Sequence, residues 1–222
     1  MIFTRFLFLG QDLIILSTAN IAAFSTESMI ISTDIYQIST IFSSQRNFGR
    51  VFTVMKNPIH VAIDKYRYLV SSNSPQIMNM SFVEYFDSPY AEDNWMTRAL
   101  TGKLSSFGGE VRSLSQDDLD SAIEILSQKC LVGLYPNLHE FLARLDNYFH
   151  WELQTRDMKK CRESVYTKAY DEYTKSLYPE EGSDLWRVVF KKNRFDMQLF
   201  RVAEHLFEDE SVLSFKTAEN SN

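Results

Sequence analysis

Cysteine and histidine are scarce in this chain, which has two cysteines and four histidines among its 222 residues. Cys130 and Cys161 are too few for a disulfide framework, although one bridge between them stays open. The histidines, at positions 60, 139, 150 and 205, lack the close His/Cys spacing that metal sites use. We therefore predict no metal centre.

Glycine and proline are also few, with seven and five residues, which leaves little room for flexible linkers. Hydrophobic residues make up 45% of the chain and aromatic residues 14%, as in globular proteins. The length suits one domain with a sizeable core better than two. We predict a single domain over residues 1–222.

The chain also lacks an excess of basic over acidic residues, and it lacks long hydrophobic runs. The net charge of −6 argues against a duplex-binding surface, because phosphate neutralisation by Lys and Arg dominates that affinity, so we predict no nucleic-acid partner. The apolar N-terminus is interrupted at Gly10, Gln11 and Asp12, and each piece is shorter than the roughly 20 residues of a membrane helix. We expect two core strands there, with no transmembrane span, no anchor and no signal peptide.

The stretch VFTVMKNPIHVAIDKYRYL, residues 51–69, changes its hydrophobic period halfway through. Residues 51–56 read as a buried strand, because they are mostly apolar and β-branched. Asn57 is a predicted N-cap and Pro58 a first-turn residue of the helix that follows. Such a strand-to-helix turn favours anions, and Lys56 lies at it; most junctions of this kind nevertheless bind nothing.

Further along the chain, helix signals alternate with one apolar run. Capping boxes at Ser81/Glu84 and Ser115/Asp118 predict helix starts, and Asn137/Glu140 predicts another. CLVGLY, residues 130–135, reads as a central strand, YAEDNWMTRALTG as a helix up to Gly102, and Asp184 to Phe207 as one long final helix. The pattern predicts an α/β fold with a short parallel sheet flanked by helices and a helical C-terminal half.

Several side chains are open to a functional or a merely structural interpretation. His60 and Asp64 are four residues apart and share one helix face, so they are either a base with its orienting carboxylate or a partly exposed pair without a task. Arg98 and Lys103 either line an acceptor site for anions or are solvated charges. Cys130 reads as a buried small hydrophobe, and Cys161 has basic neighbours that lower a thiol pKa.

Four stretches follow one another between about residues 50 and 207: RVFTVMKNPIHVAIDKYRYL, EDNWMTRALTGKL, DDLDSAIEILSQKCLVGLYPNLHEFLARLDNYFHWE and NRFDMQLFRVAEHLF. In this order they resemble the carbohydrate-type sulfotransferases, particularly divergent members of algal character. The resemblance implies a P-loop-like fold and 3′-phosphoadenosine 5′-phosphosulfate as the cofactor. It also implies a carbohydrate acceptor and, for family members, a place in the Golgi lumen. The family's 5′-phosphosulfate loop, of the type Pro-Lys-Thr-Gly-Thr-Thr, has no counterpart before residue 51.

The family's second cofactor motif, of the type Arg-Asp-Pro-Val-Glu-Arg-Ala-Ile-Ser, has KNPIHVAID as its counterpart. The resemblance places Lys56, Asn57 and Asp64 at the cofactor, with Lys56 at the phosphate-binding Arg and Asp64 at the phosphate-binding Ser. His60 is the candidate base. A carboxylate at the Ser position repels phosphate by roughly 4 kcal/mol at about 4 Å and an effective dielectric near 20.

Two functions of different classes follow. The first is sulfuryl transfer to a carbohydrate hydroxyl with degenerate cofactor motifs, and the alternative is an inactive pseudoenzyme that serves as a structural or partner-binding subunit. A third possibility is that the sequence begins close to where the missing loop would lie and is incomplete there.

Overall fold

The structure is a computed structural model that describes residues 51–104, 112–149 and 177–219, with a few isolated residues elsewhere. The predicted N-terminal strands and Cys161 lie outside the described residues. Residues 105–111 lie outside them too, and the bridge that the sequence leaves open between Cys161 and Cys130 is not tested there. The following elements therefore belong to the described part of the chain.

Two strands pair in parallel at the centre of the fold. Strand β1 (Val51–Met55) lies beside β2 (Cys130–Leu134), with Val51 opposite Cys130 and Met55 opposite Leu134. Parallel strands need a crossover connection, and here it contains four helices: α1 (Pro58–Ser71), α2 (Phe82–Asp87), α3 (Trp95–Thr101) and α4 (Gln116–Lys129). The described chain is mostly helical with a short two-stranded parallel sheet, which is compatible with the predicted α/β class.

The helix starts at Asn57, Ser81 and Ser115 are confirmed. Asn57 caps α1, and Pro58 is its first residue. Ser81 with Glu84 forms the capping box of α2, and Ser115 with Asp118 forms that of α4. Each box bonds two backbone N–H groups that the first helical turn leaves without a partner.

After β2 come a short 3₁₀ turn (Tyr135–Asn137) and α5 (Leu138–Phe149), followed in the described chain by α6 (Asp184–Lys192) and α7 (Arg194–Glu219). The prediction of one helix from Asp184 to Phe207 is wrong, because the helix is interrupted at Asn193. The prediction of a helix from Tyr90 is wrong at its start, since Asn94 has left-handed backbone angles and α3 begins after it. The tail expected to fray is helical through Glu219.

The main hydrophobic core surrounds β2. Helices α4, α5 and α7 pack on it through apolar side chains that include Leu126, Phe141 and Leu199. Gly133 lies directly beneath Phe141, and a Cβ atom at this position would be 2.3 Å from Cδ1 of that ring. The glycine therefore permits close packing of α5 on the strand.

A second hydrophobic cluster joins α1, α2 and α6. Ile59 and Ile63 of α1, Tyr85 and Phe86 of α2 and Val189 of α6 form its buried centre. Helix α1 thus begins at the sheet and packs its apolar face into this cluster. Within the described residues, no helix combines the length and the apolar character required to cross a membrane.

Candidate functional site

The candidate site lies where β1 ends and α1 begins. The Asn57 side chain accepts a hydrogen bond from the backbone N–H of Ile59 at 3.0 Å, which is the predicted N-cap contact. Pro58 needs no backbone partner in the first turn and is buried. The side-chain oxygen of Asn57 therefore caps the start of the helix that carries His60 and Asp64.

Lys56 is buried at this junction, with 5% of its side chain exposed. Its Nζ atom donates to Oδ2 of Asp64 at 2.5 Å. The same ammonium lies 5.0 Å from the ring centre of Tyr135 and 5.5 Å from that of Tyr178, within the range of cation–π attraction. The charge of Lys56 is therefore compensated by groups of the protein itself.

Asp64 has a second neutralising contact and a hydroxyl donor. The Tyr178 hydroxyl lies 3.0 Å from Oδ2 and 3.2 Å from Oδ1, and Arg67 lies 3.7 Å from Oδ1. The sequence suggests that this carboxylate repels a phosphate, and the structure adds that it is the counter-ion of Lys56. An anion that binds Lys56 must therefore displace Asp64.

His60 stacks against Tyr178, with ring centres 3.6 Å apart and ring planes inclined by 6°. Burial lowers the pKa of His60 to about 4, and the positive charges of Lys56 and Arg67 also lower it, while Asp64 opposes them. The imidazole is therefore neutral near pH 7. A neutral imidazole has the protonation state that a general base requires.

Tyr178 and Tyr135 complete the site, and sequence reasoning missed both. Tyr135 follows β2 directly, and since parallel strands end at the same edge of a sheet, its position beside Lys56 was open to prediction. Tyr178 lies in the irregular segment before α6, 114 residues from Asp64 in the chain, and no local pattern identifies it. The backbone carbonyl of Leu177 accepts a hydrogen bond from Arg67 and thereby fixes this segment on α1.

Arg98 and Lys103, the alternative anion-binding residues, have internal partners. Arg98 is 1% exposed, so its interpretation as a solvated charge is wrong. It donates to the Asp93 carboxylate at 2.8 Å and to the Arg112 carbonyl at 2.7 Å. Lys103 lies 2.8 Å from Asp118. Both cations therefore connect the segments that flank α3.

Two helix starts cap each other through a buried pair that sequence reasoning also missed. Asp196 of α7 accepts hydrogen bonds from the backbone N–H groups of Met96 and Thr97, each at 2.8 Å. Asn94 accepts in turn from the N–H groups of Phe195 at 2.8 Å and Asp196 at 3.3 Å. Burial raises the pKa of Asp196 to about 6, against the opposing effect of these hydrogen bonds.

Other residues singled out in the sequence have simpler surroundings. Cys130 is buried, as predicted. Among the described residues, no group of three or more His, Cys, Asp or Glu side chains is arranged to hold a metal ion.

No family model, no curated protein and no solved structure matches this chain.

Proposed function

We propose that this protein is a sulfotransferase-like pseudoenzyme with a P-loop-like fold, which serves as a structural or partner-binding subunit. The observation that carries the proposal is the ion pair between Lys56 and Asp64, 2.5 Å long and covered by Tyr178. The resemblance implies that this pair occupies the position at which carbohydrate-type sulfotransferases bind the 3′-phosphate of their nucleotide. A site whose cation already has an internal counter-ion is a poor acceptor of an external anion.

The energy of this pair supports the loss of nucleotide binding. Separating a fully buried pair so that one charge loses its partner costs about 3–5 kcal/mol. The cost here is smaller, because 29% of the Asp64 side chain is exposed and Arg67 lies beside it. Each 1.4 kcal/mol is about tenfold in affinity. An incoming phosphate must offset this cost before it gains anything from Lys56, so it binds more weakly than it would at a lysine without a counter-ion.

A partner-binding role has its own support on the surface. Tyr68 on α1, Val83 on α2 and Leu185 on α6 are 45%, 44% and 48% exposed. These three helices are joined by the second hydrophobic cluster. Exposed aromatic side chains such as that of Tyr68 are enriched at protein interfaces.

Calorimetric titration with adenosine 3′,5′-bisphosphate tests the proposal. We expect little or no binding by the wild type and measurable binding by Asp64→Ser, because the serine hydroxyl donates to a phosphate and leaves Lys56 without its carboxylate. Asp120→Ser, on the exposed side of α4, is the matched control for charge and should not bind. Tight binding by the wild type and Asp64→Ser alike would overturn the proposal.

One observation favours the second candidate, an active sulfotransferase. His60 is neutral near pH 7 and lies in the same cluster as Lys56. In this alternative, His60 takes the proton of a carbohydrate hydroxyl while that oxygen attacks the sulfur of 3′-phosphoadenosine 5′-phosphosulfate, and adenosine 3′,5′-bisphosphate leaves. Sulfate transfer by the wild type that is lost in Lys56→Met and His60→Gln would establish this activity and exclude the pseudoenzyme.

A further inference from the structure

A cleft of about 490 Å³ opens at the junction of α6 and α7, on residues separate from the Lys56 site. Three basic side chains line it, Lys191, Lys192 and Arg194. Its other walls include the aromatic rings of Phe86 and Phe195. The volume is within the range of small-molecule sites, about 300 to 1,000 Å³.

The three basic side chains keep their charge available to a ligand. Within the described part of the chain, none of the three forms an ion pair with a carboxylate, while Asp93, the acidic wall residue nearest α3, is paired with Arg98. Asp87 is the remaining acidic wall residue. The cleft is therefore locally positive in a protein whose net charge is −6.

Two of the cations are already positioned. Lys192 donates to the backbone carbonyls of Ser88 at 3.2 Å and Ala91 at 3.5 Å, which orient its ammonium without neutralising it. The Arg194 guanidinium lies 4.9 Å from the ring centre of Phe195, a residue that is buried. Groups that are fixed before binding lose less conformational entropy when a ligand arrives.

The start of α7 itself contributes little to anion binding. Its backbone N–H groups at Phe195 and Asp196 are already bonded to Asn94. Attraction for an anion must therefore come from the side chains. A guanidinium binds a phosphate or sulfate group with two parallel hydrogen bonds, and a lysine adds a point charge.

We propose that the cleft between α6 and α7 binds a small organic phosphate or sulfate, whose anionic group contacts Arg194 and Lys191 while its apolar part packs on Phe86 and Phe195. The inference is independent of nucleotide binding at Lys56. Phosphate and sulfate esters share the chemistry on which it depends, and comparison of the two esters distinguishes them.

Titration calorimetry with phenyl phosphate and phenyl sulfate tests this site in the full chain. We expect binding to at least one ester, weaker binding of inorganic phosphate, and no binding of phenol. Lys191→Gln/Arg194→Gln should weaken ester binding about tenfold or more, since it removes two charge-assisted contacts. Both side chains are exposed, so the fold should survive, and a thermal melt verifies this.

Two further variants distinguish a site from general charge attraction. Lys159→Gln/Lys160→Gln removes the same charge from exposed positions that do not line the cleft and should leave binding unchanged. Asp87→Asn removes a negative charge from the wall of the cleft, and since that charge repels an anionic ligand, the variant should bind the ester more tightly. Absence of ester binding by the wild type, or equal weakening by the two double variants, would overturn the proposal.

Discussion

The unusual environment of His60 predicts that this site loses stability in acid. Burial and neighbouring positive charges lower its pKa from 6.5 to about 4 in the folded protein. Between these two values the unfolded chain binds a proton that the folded chain excludes. The free energy of unfolding is therefore not reduced by His60 above pH 6.5, and it declines as the pH falls from 6.5 toward 4.

The size of the effect follows from the same two values. Each pKa unit is about 1.4 kcal/mol, so the fall from 6.5 to about 4 corresponds to an upper limit of about 3.5 kcal/mol. His60 is only partly buried, and screening by solvent reduces the expected contribution to about 1–2 kcal/mol. This is a large fraction of the stability of a typical domain.

Urea unfolding at pH 7 and pH 4.5 measures the contribution of His60 to the pH dependence of stability. His60→Phe keeps an aromatic ring against Tyr178 but has no proton to gain. We expect the loss of unfolding free energy between the two pH values to be about 1–2 kcal/mol smaller in His60→Phe than in the wild type. His205→Phe, on the exposed face of α7, should keep the wild-type difference. An unchanged pH difference in His60→Phe would refute the assignment of the acid sensitivity to this ring.

Two other substitutions test the packing around the site. Gly133→Ala should destabilise the protein by about 1–3 kcal/mol in thermal unfolding, because the new methyl group overlaps the Phe141 ring; an unchanged melting temperature would contradict the close contact. Asp196→Ala should cost about 1–3 kcal/mol in urea unfolding, because it leaves the buried N–H groups of Met96 and Thr97 without their acceptor, and a loss near zero would show that these groups find other partners.

Local signals predicted most of the described elements. The strand at 51–55, the caps at Asn57 and Ser115 and the strand at 130–134 each depend on residues that are neighbours in the sequence. The break at Asn193 was missed because apolar residues continue at helical spacing on both sides of it. The bonds that fix this break join Asn94 to Phe195, and a pattern within one segment cannot reveal them.

The strand-to-helix junction that carries Lys56 was predicted, and the ion pair between Lys56 and Asp64 was not. The resemblance relates both Lys56 and Asp64 to an external phosphate, whereas in the structure each is the partner of the other. Lys56 continues a strand expected to be buried, and a buried ammonium needs a counter-charge, since an unpaired one costs several kcal/mol. Asp64 is the first acidic residue after Lys56, so the sequence contained this pair. Tyr178, which covers it, is reached only through the fold.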